Sequence, residues 1–145
     1  MPLTASAGVS SAFVPQFRIS EAAELLGFSD DTVRRWADQG RLTVHRGEGG
    51  RLTVDGRELA ELAQQLADAP PPGTAIRTSA RNRLRGIVTR VTKDGVMAQV
   101  EMQAGPFRLV SLMSREAADE LGLEVGVVAV AAIKSTQITV EIPEA

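Results

Sequence analysis

The chain has 145 residues, 43% of them hydrophobic and 23% charged, with a formal net charge of -2. This is the balance of a soluble globular protein with room for one ordinary domain or two very small ones, and its acidity argues against nucleic-acid binding by bulk charge alone. With no Cys and only one His, His45, a disulfide framework, a thiolate centre and a His-rich metal site are excluded. No metal cation site is therefore expected. The start of the chain is rich in Ala, Ser and Val and lacks the basic opening of a secretory signal. No later apolar run approaches membrane-spanning length, so the sequence points to a cytoplasmic protein without membrane contact.

Residues 1–16 read as a disordered tail. Ser20 then caps a helix whose Ala23, Leu25 and Leu26 are apolar and which Gly27 stops. After a short turn Ser29 caps a second helix. Asp30 and Asp31 lie in its first turn, where the helix dipole favours anions, Val33 and Trp36 are its apolar anchors, and Gly40 ends it. Two short helices joined so tightly form a helix-turn-helix. Leu42–Val44 and Arg51–Val54 are alternating β-prone runs around the glycine-rich tip Arg46–Gly50, which together read as a wing. Asp55 caps a last helix with Leu59, Leu62, Ala63 and Leu66 at helical spacing. Ala-Asp-Ala-Pro-Pro-Pro-Gly follows, a semi-rigid spacer that makes residues 68–76 a Pro-rich linker.

Beyond the linker the apolar period changes from helix to strand. Five β-prone runs are expected, at 84–91, 96–102, 107–113, 125–133 and 137–142, with one helix between the third and fourth, capped by Ser114 and ended by Gly122. That layout matches a small five-stranded OB-like barrel over residues 77–143, so the fold class is α+β: a winged helix-turn-helix over 17–67, the linker, then the barrel. Two small cores of this kind are marginal alone and predict self-association.

Two polar clusters bracket this second half: Thr78-Ser79-Ala80-Arg81-Asn82 and Lys134-Ser135-Thr136. Both offer hydrogen-bond donors and cations, and neither holds a carboxylate. Such a set suits a fully ionised oxyanion, whose oxygens only accept hydrogen bonds and which Asp or Glu would repel. The layout places the clusters at opposite ends of the barrel. No nucleophile and base pair, metal-ligand cluster or phosphate loop accompanies them, so no enzymatic activity is expected.

The run Phe17-Arg18-Ile19-Ser20-Glu21-Ala22-Ala23-Glu24-Leu25-Leu26-Gly27-Phe28-Ser29, followed by Thr32-Val33-Arg34-Arg35-Trp36 and Gly40-Arg41-Leu42, resembles the winged helix-turn-helix of the MerR and excisionase families. The resemblance implies double-stranded DNA as partner, with the second helix in the major groove and the wing on the flanking backbone. It makes Thr32, Arg34 and Arg35 the helix contacts and Arg46 and Arg51 the wing contacts. Arg suits both tasks because its planar fork pairs with guanine edges or phosphates.

Thr78 to Gly86, the stretch Arg108-Leu109-Val110-Ser111-Leu112-Met113-Ser114, the Leu121-Gly122-Leu123 turn and Ile133-Lys134-Ser135-Thr136 resemble the molbindin domain, also called Mop or TOBE. The resemblance implies molybdate or tungstate as ligand. It puts Ser79 and Arg81, with the backbone of Ala80 and Asn82, on one side of the anion, adds Lys134 and Ser135 from the last motif, and places Ser114 ahead of the helix. It further implies that the two sides come from different chains, hence a homo-oligomer: a dimer or a higher assembly such as a hexamer. Together the two resemblances imply a molybdate- or tungstate-responsive transcriptional regulator. The alternative is a molybdate store whose helix-turn-helix serves only assembly.

Overall fold

The computed structural model describes residues 14–67 and 76–144. The chain divides into two compact units, Met1–Pro70 and Pro71–Ala145. Residues 1–13 of the expected tail and residues 68–75 of the expected linker lie outside the described part.

The N-terminal unit opens with a strand that sequence patterning does not announce. Strand β1 (Gln16–Arg18) pairs antiparallel with β3 (Leu52–Asp55), so Gln16, assigned to the tail, is the first residue of the sheet. Gly56 N–H donates to Pro15 O at 2.8 Å and fixes the chain one residue earlier. The pairing holds Arg18 extended, and helix α1 (Ile19–Leu26) therefore starts one residue before the expected cap: Ser20 lies inside its first turn. The Glu21 carboxylate instead reaches back to the Arg18 N–H at 2.9 Å and the Arg18 guanidinium at 3.2 Å. These contacts, the backbone one foremost, hold Glu21 below the usual carboxylate range.

The other caps follow the sequence. Gly27 ends α1 at φ 75°, a left-handed conformation that glycine adopts without a Cβ clash. Ser29 Oγ accepts the Thr32 N–H at 3.2 Å at the head of α2 (Asp30–Asp38). Asp55 caps α3 (Gly56–Leu66). Strand β2 (Val44–Arg46) completes a three-stranded sheet in the order β1-β3-β2. The core gathers Ile19, Ala22, Ala23, Val33, Trp36, Leu59 and Leu62 from the three helices, with Leu42 after α2 and Val54 of β3. Phe28 meets the edge of Trp36, and the Arg41 guanidinium lies 5.6 Å from the centre of its ring.

The C-terminal unit has the expected helix between its third and fourth strands. Strands β4 (Asn82–Lys93), β5 (Met97–Ala104), β6 (Phe107–Ser114) and β7 (Val128–Ile133) form a four-stranded antiparallel sheet in the order β6-β5-β4-β7, with helix α4 (Arg115–Glu120) after β6. The expected fifth strand, 137–142, joins no ladder among the described residues. A 3-10 turn at Ser135–Gln137 follows β7 directly, and beyond it Val140 and Ile142 are 87% and 90% exposed. Its alternation is that of a strand, but its own sheet offers it no partner. Among its described residues the C-terminal unit therefore carries four of the five expected strands, within the α+β class expected.

Two local contacts set the start of β5. Asp94 accepts the N–H groups of Val96 and Met97, both at 2.7 Å, so β5 begins at Met97. Those two donors hold the Asp94 carboxyl below its ordinary range, Met97 first. On the inner face Val88, Val100 and Leu123 form the core, and Val91, Met113, Val127 and Ala129 pack on it. The inner face continues into an apolar groove of about 500 Å³ lined by β6 on one side and β7 on the other.

Candidate functional site

The β4–β7 ladder decides where the two polar clusters lie. Its outermost rung is Asn82 opposite Ile133, so the Thr78–Asn82 segment enters β4 beside the point where Lys134 and Ser135 leave β7. The clusters share one corner of the sheet, contrary to the opposite ends that their distance along the chain suggests. An antiparallel pair returns the chain to its starting edge, which spacing in sequence does not reveal.

Within this corner some donors are already engaged. Thr78 Oγ1 accepts the Ala80 N–H at 3.1 Å, and the Thr78 carbonyl accepts from Arg81 Nη1 at 3.4 Å. Asn82 Nδ2 donates to the Ile133 carbonyl at 3.1 Å in a half-buried setting. Thr78 was not among the expected contacts, although a Thr two residues ahead of a backbone N–H is a known turn-forming signal. Ser79, Arg81, Lys134 and Ser135 are exposed. No carboxylate with a shifted pKa belongs to the corner. Glu101 and Asp119 are held below their ordinary range by Arg108 and Lys93 respectively, away from it.

Ser114 stands apart. It pairs with Met97, next to the far end of β4, so the twelve-residue length of β4 separates it from Asn82. Its Oγ accepts the Ala117 N–H at 3.1 Å and caps α4.

The candidate nucleic-acid contacts are also sorted by the fold. Arg34 and Arg46 line one groove of about 700 Å³ between α2 and β2, with Asp38 and Thr43 among the polar lining and Leu42, Val44 and Leu52 as its apolar floor. Arg34 is 62% exposed at its side chain and 3.9 Å from Asp31. Arg35 is exposed on α2 and does not line this groove. Arg46 shares the sheet face of Val44 and Leu52, whereas Arg51, one residue before Leu52 in extended backbone, projects from the opposite face. Thr32 is half-buried, and its hydroxyl lies 2.8 Å from Ser29 Oγ, within the cap.

No helix of the described residues is long and apolar enough to cross a membrane, and no group of metal-ligating side chains occurs among them. Residues 17–67 match the model of the helix-turn-helix domain, and residues 78–140 that of the TOBE domain. Molybdenum-pterin-binding protein 1 of Clostridium pasteurianum is 36% identical over 63 residues, which are 43% of this chain and 93% of that protein. Molybdenum-pterin-binding protein 3 of the same organism is 38% identical over a stretch of the same coverage. Among solved structures, a molybdate binding protein from Sporomusa ovata superimposes with a TM-score of 0.45 at 28% identity, covering 46% of this chain and all of that one. With more than nine-tenths of these Clostridium proteins matched at over 30% identity, the chain belongs to the TOBE-domain family of molybdenum-pterin-binding proteins, and it carries a helix-turn-helix domain ahead of that unit.

Proposed function

We propose that the protein is a cytoplasmic, molybdate- or tungstate-responsive regulator that binds double-stranded DNA through its N-terminal unit and the oxyanion through its C-terminal unit. The observation that carries this reading is the single corner holding Ser79, Arg81, Lys134 and Ser135, all donors or cations. A tetrahedral oxyanion without a proton meets only complementary groups there, whereas a protonated phosphate would also want an acceptor. The names of the Clostridium relatives support a molybdenum ligand.

Assembly follows from the unpaired C-terminal segment. Ile138, Val140 and Ile142 alternate with Gln137, Thr139 and Glu141, the pattern of a strand with one buried face, and the apolar groove between β6 and β7 lacks a strand to cover it. A second copy supplies that strand, and a homo-oligomer results. Ser114 then meets an anion only if another copy brings it to a foreign corner. Anion binding favoured by one assembly state shifts the equilibrium toward it and changes how the DNA-reading heads are presented.

On the DNA side, the groove shared by Arg34 and Arg46 suits a phosphate strand, with its apolar floor against deoxyribose. Arg35 is then the helix residue left for base edges. A second reading, an intracellular molybdate store, is favoured by one observation: the Clostridium relatives consist of little beyond the segment matched here. The two separate in one experiment. Duplex binding by the full chain is measured at several salt concentrations with and without molybdate. A salt-sensitive affinity that molybdate changes is the result expected of a regulator; molybdate binding with no DNA affinity leaves the store.

A further inference from the structure

We infer that the Asn82 side chain is a positioning group for the anion corner, a latch that holds the two donor clusters together and does not itself contact the anion. This rests on the oxyanion reading above. Asn82 and Ile133 are the last Cα partners of the β4–β7 ladder, the rung most exposed to fraying, and the donor clusters begin on either side of it. Arg81 precedes Asn82, and Lys134 follows Ile133. Opening of this one rung therefore parts Ser79 and Arg81 from Lys134 and Ser135.

The side chain adds a tie at that point. Asn82 Nδ2 donates to the Ile133 carbonyl at 3.1 Å across 51 residues of sequence, and Asn82 is half-buried while its neighbours Arg81 and Arg83 are exposed. A carbonyl accepts only from the amide nitrogen, so the orientation of the carboxamide is fixed by this bond. Beyond this bond the carboxamide keeps one N–H and an oxygen, and the oxygen is an acceptor that an oxyanion cannot satisfy. A group that served the anion alone would be better built as another hydroxyl or cation; a carboxamide bonded to the carbonyl just before Lys134 fits the task of fixing the distance between clusters. Holding the donors in place before binding removes part of the ordering that binding would otherwise require.

The test is calorimetric titration of the full chain with sodium molybdate, comparing wild type, Asn82→Leu, the double variant Lys134→Ala/Ser135→Ala, and the triple variant. Asn82→Leu keeps the size and removes the donor. The latch predicts affinity about threefold to tenfold weaker in Asn82→Leu, the factor one net hydrogen bond commands. It also predicts no further loss when Asn82→Leu is added to the double variant, because the cluster it aligns is gone. Amide exchange at Lys134 and Ser135 should quicken in Asn82→Leu. Full additivity would mean that the Asn82 side chain touches the anion and would overturn the inference. So would an unchanged affinity, even with a lowered melting temperature, which is what a merely structural role gives. If Asn82→Leu does not fold, Asn82→Ser, whose hydroxyl is too short to reach Ile133, is read by the same outcomes. Wild type that gives no heat with molybdate overturns the oxyanion reading itself, a result distinct from either.

Discussion

Replacing Gly86 by Ala should cripple the C-terminal unit, and the structure gives the size of the effect. Gly86 lies in β4 opposite Ala129 of β7, and a Cβ built on it would sit 2.2 Å from the Gln103 carbonyl oxygen, 2.8 Å from its carbonyl carbon and 3.1 Å from Ala104 Cα. Non-bonded carbons prefer about 3.5–4.0 Å, so the end of β5 would have to retreat by roughly an ångström. All three crowding atoms are backbone, and no side chain can swing away to relieve them. Overpacking typically costs about 1–3 kcal/mol, and losing the terminal β4–β5 rung at Ile87 and Gln103 adds about one net hydrogen bond. Set against these is a gain of up to ~1 kcal/mol from stiffening the unfolded chain. A loss of about 1–4 kcal/mol remains, which for a unit of this size lowers the melting temperature by roughly 4–30 °C. The assay is thermal unfolding followed by far-ultraviolet circular dichroism, which sees the sheet, with Trp36 fluorescence as an internal reference for the N-terminal core. A circular-dichroism transition moved by less than about 4 °C would refute the steric reasoning.

Three further outcomes are expected. Ser29→Ala removes the cap of α2 and should lower the Trp36-detected melting temperature by about 4–8 °C, the equivalent of ~1 kcal/mol; an unmoved transition would show the cap to be dispensable. Arg34→Ala and Arg46→Ala should each reduce the slope of log affinity against log salt by about one on a random-sequence duplex, with Arg51→Ala leaving it unchanged, since only the first two share the groove; equal effects from all three would dissolve that distinction. Asp94 is held below its ordinary range by the Met97 and Val96 N–H groups, so its contribution to stability is complete above its unfolded value and disappears as pH falls through the folded one. The gap in melting temperature between wild type and Asp94→Ala should therefore be widest near pH 7 and close below about pH 4; a gap independent of pH would contradict it.

The N-terminal unit was legible almost entirely because its signals are local. Ser29, Asp55 and Gly27 act on residues one to four positions away, and their chemistry fixes the ends of α2, α3 and α1 without reference to the rest of the fold. Strand β1 escaped for the opposite reason: three residues hold no period, and what makes them a strand is Val54, 37 residues on, opposite Phe17. The displaced start of α1 follows from that omission. In the C-terminal unit alternation marked each β-prone run, but alternation states only that a segment has two faces and not whose sheet it enters. Gln137–Ile142 carries the pattern and lacks a neighbour among the described residues. The donor clusters were visible as chemistry, while their meeting at one corner depended on the pairing of Asn82 with Ile133, a fact of topology. Arg34 and Arg35 looked equivalent as adjacent cations, and only the packing of Val33 and Trp36 separates the directions they face.

The exposed stretch from Ile138 to Ile142 also bears on the life of a newly made chain. On the oligomeric reading proposed above, a chain that has not met another copy exposes both the groove and a strand-like segment, the combination that invites misassembly with foreign edges. Abundance then becomes a variable in its own right: at low expression single chains wait longer in that vulnerable condition, and at high expression they close quickly. On that same reading, the quantity of protein in the cell sets the response threshold alongside the anion.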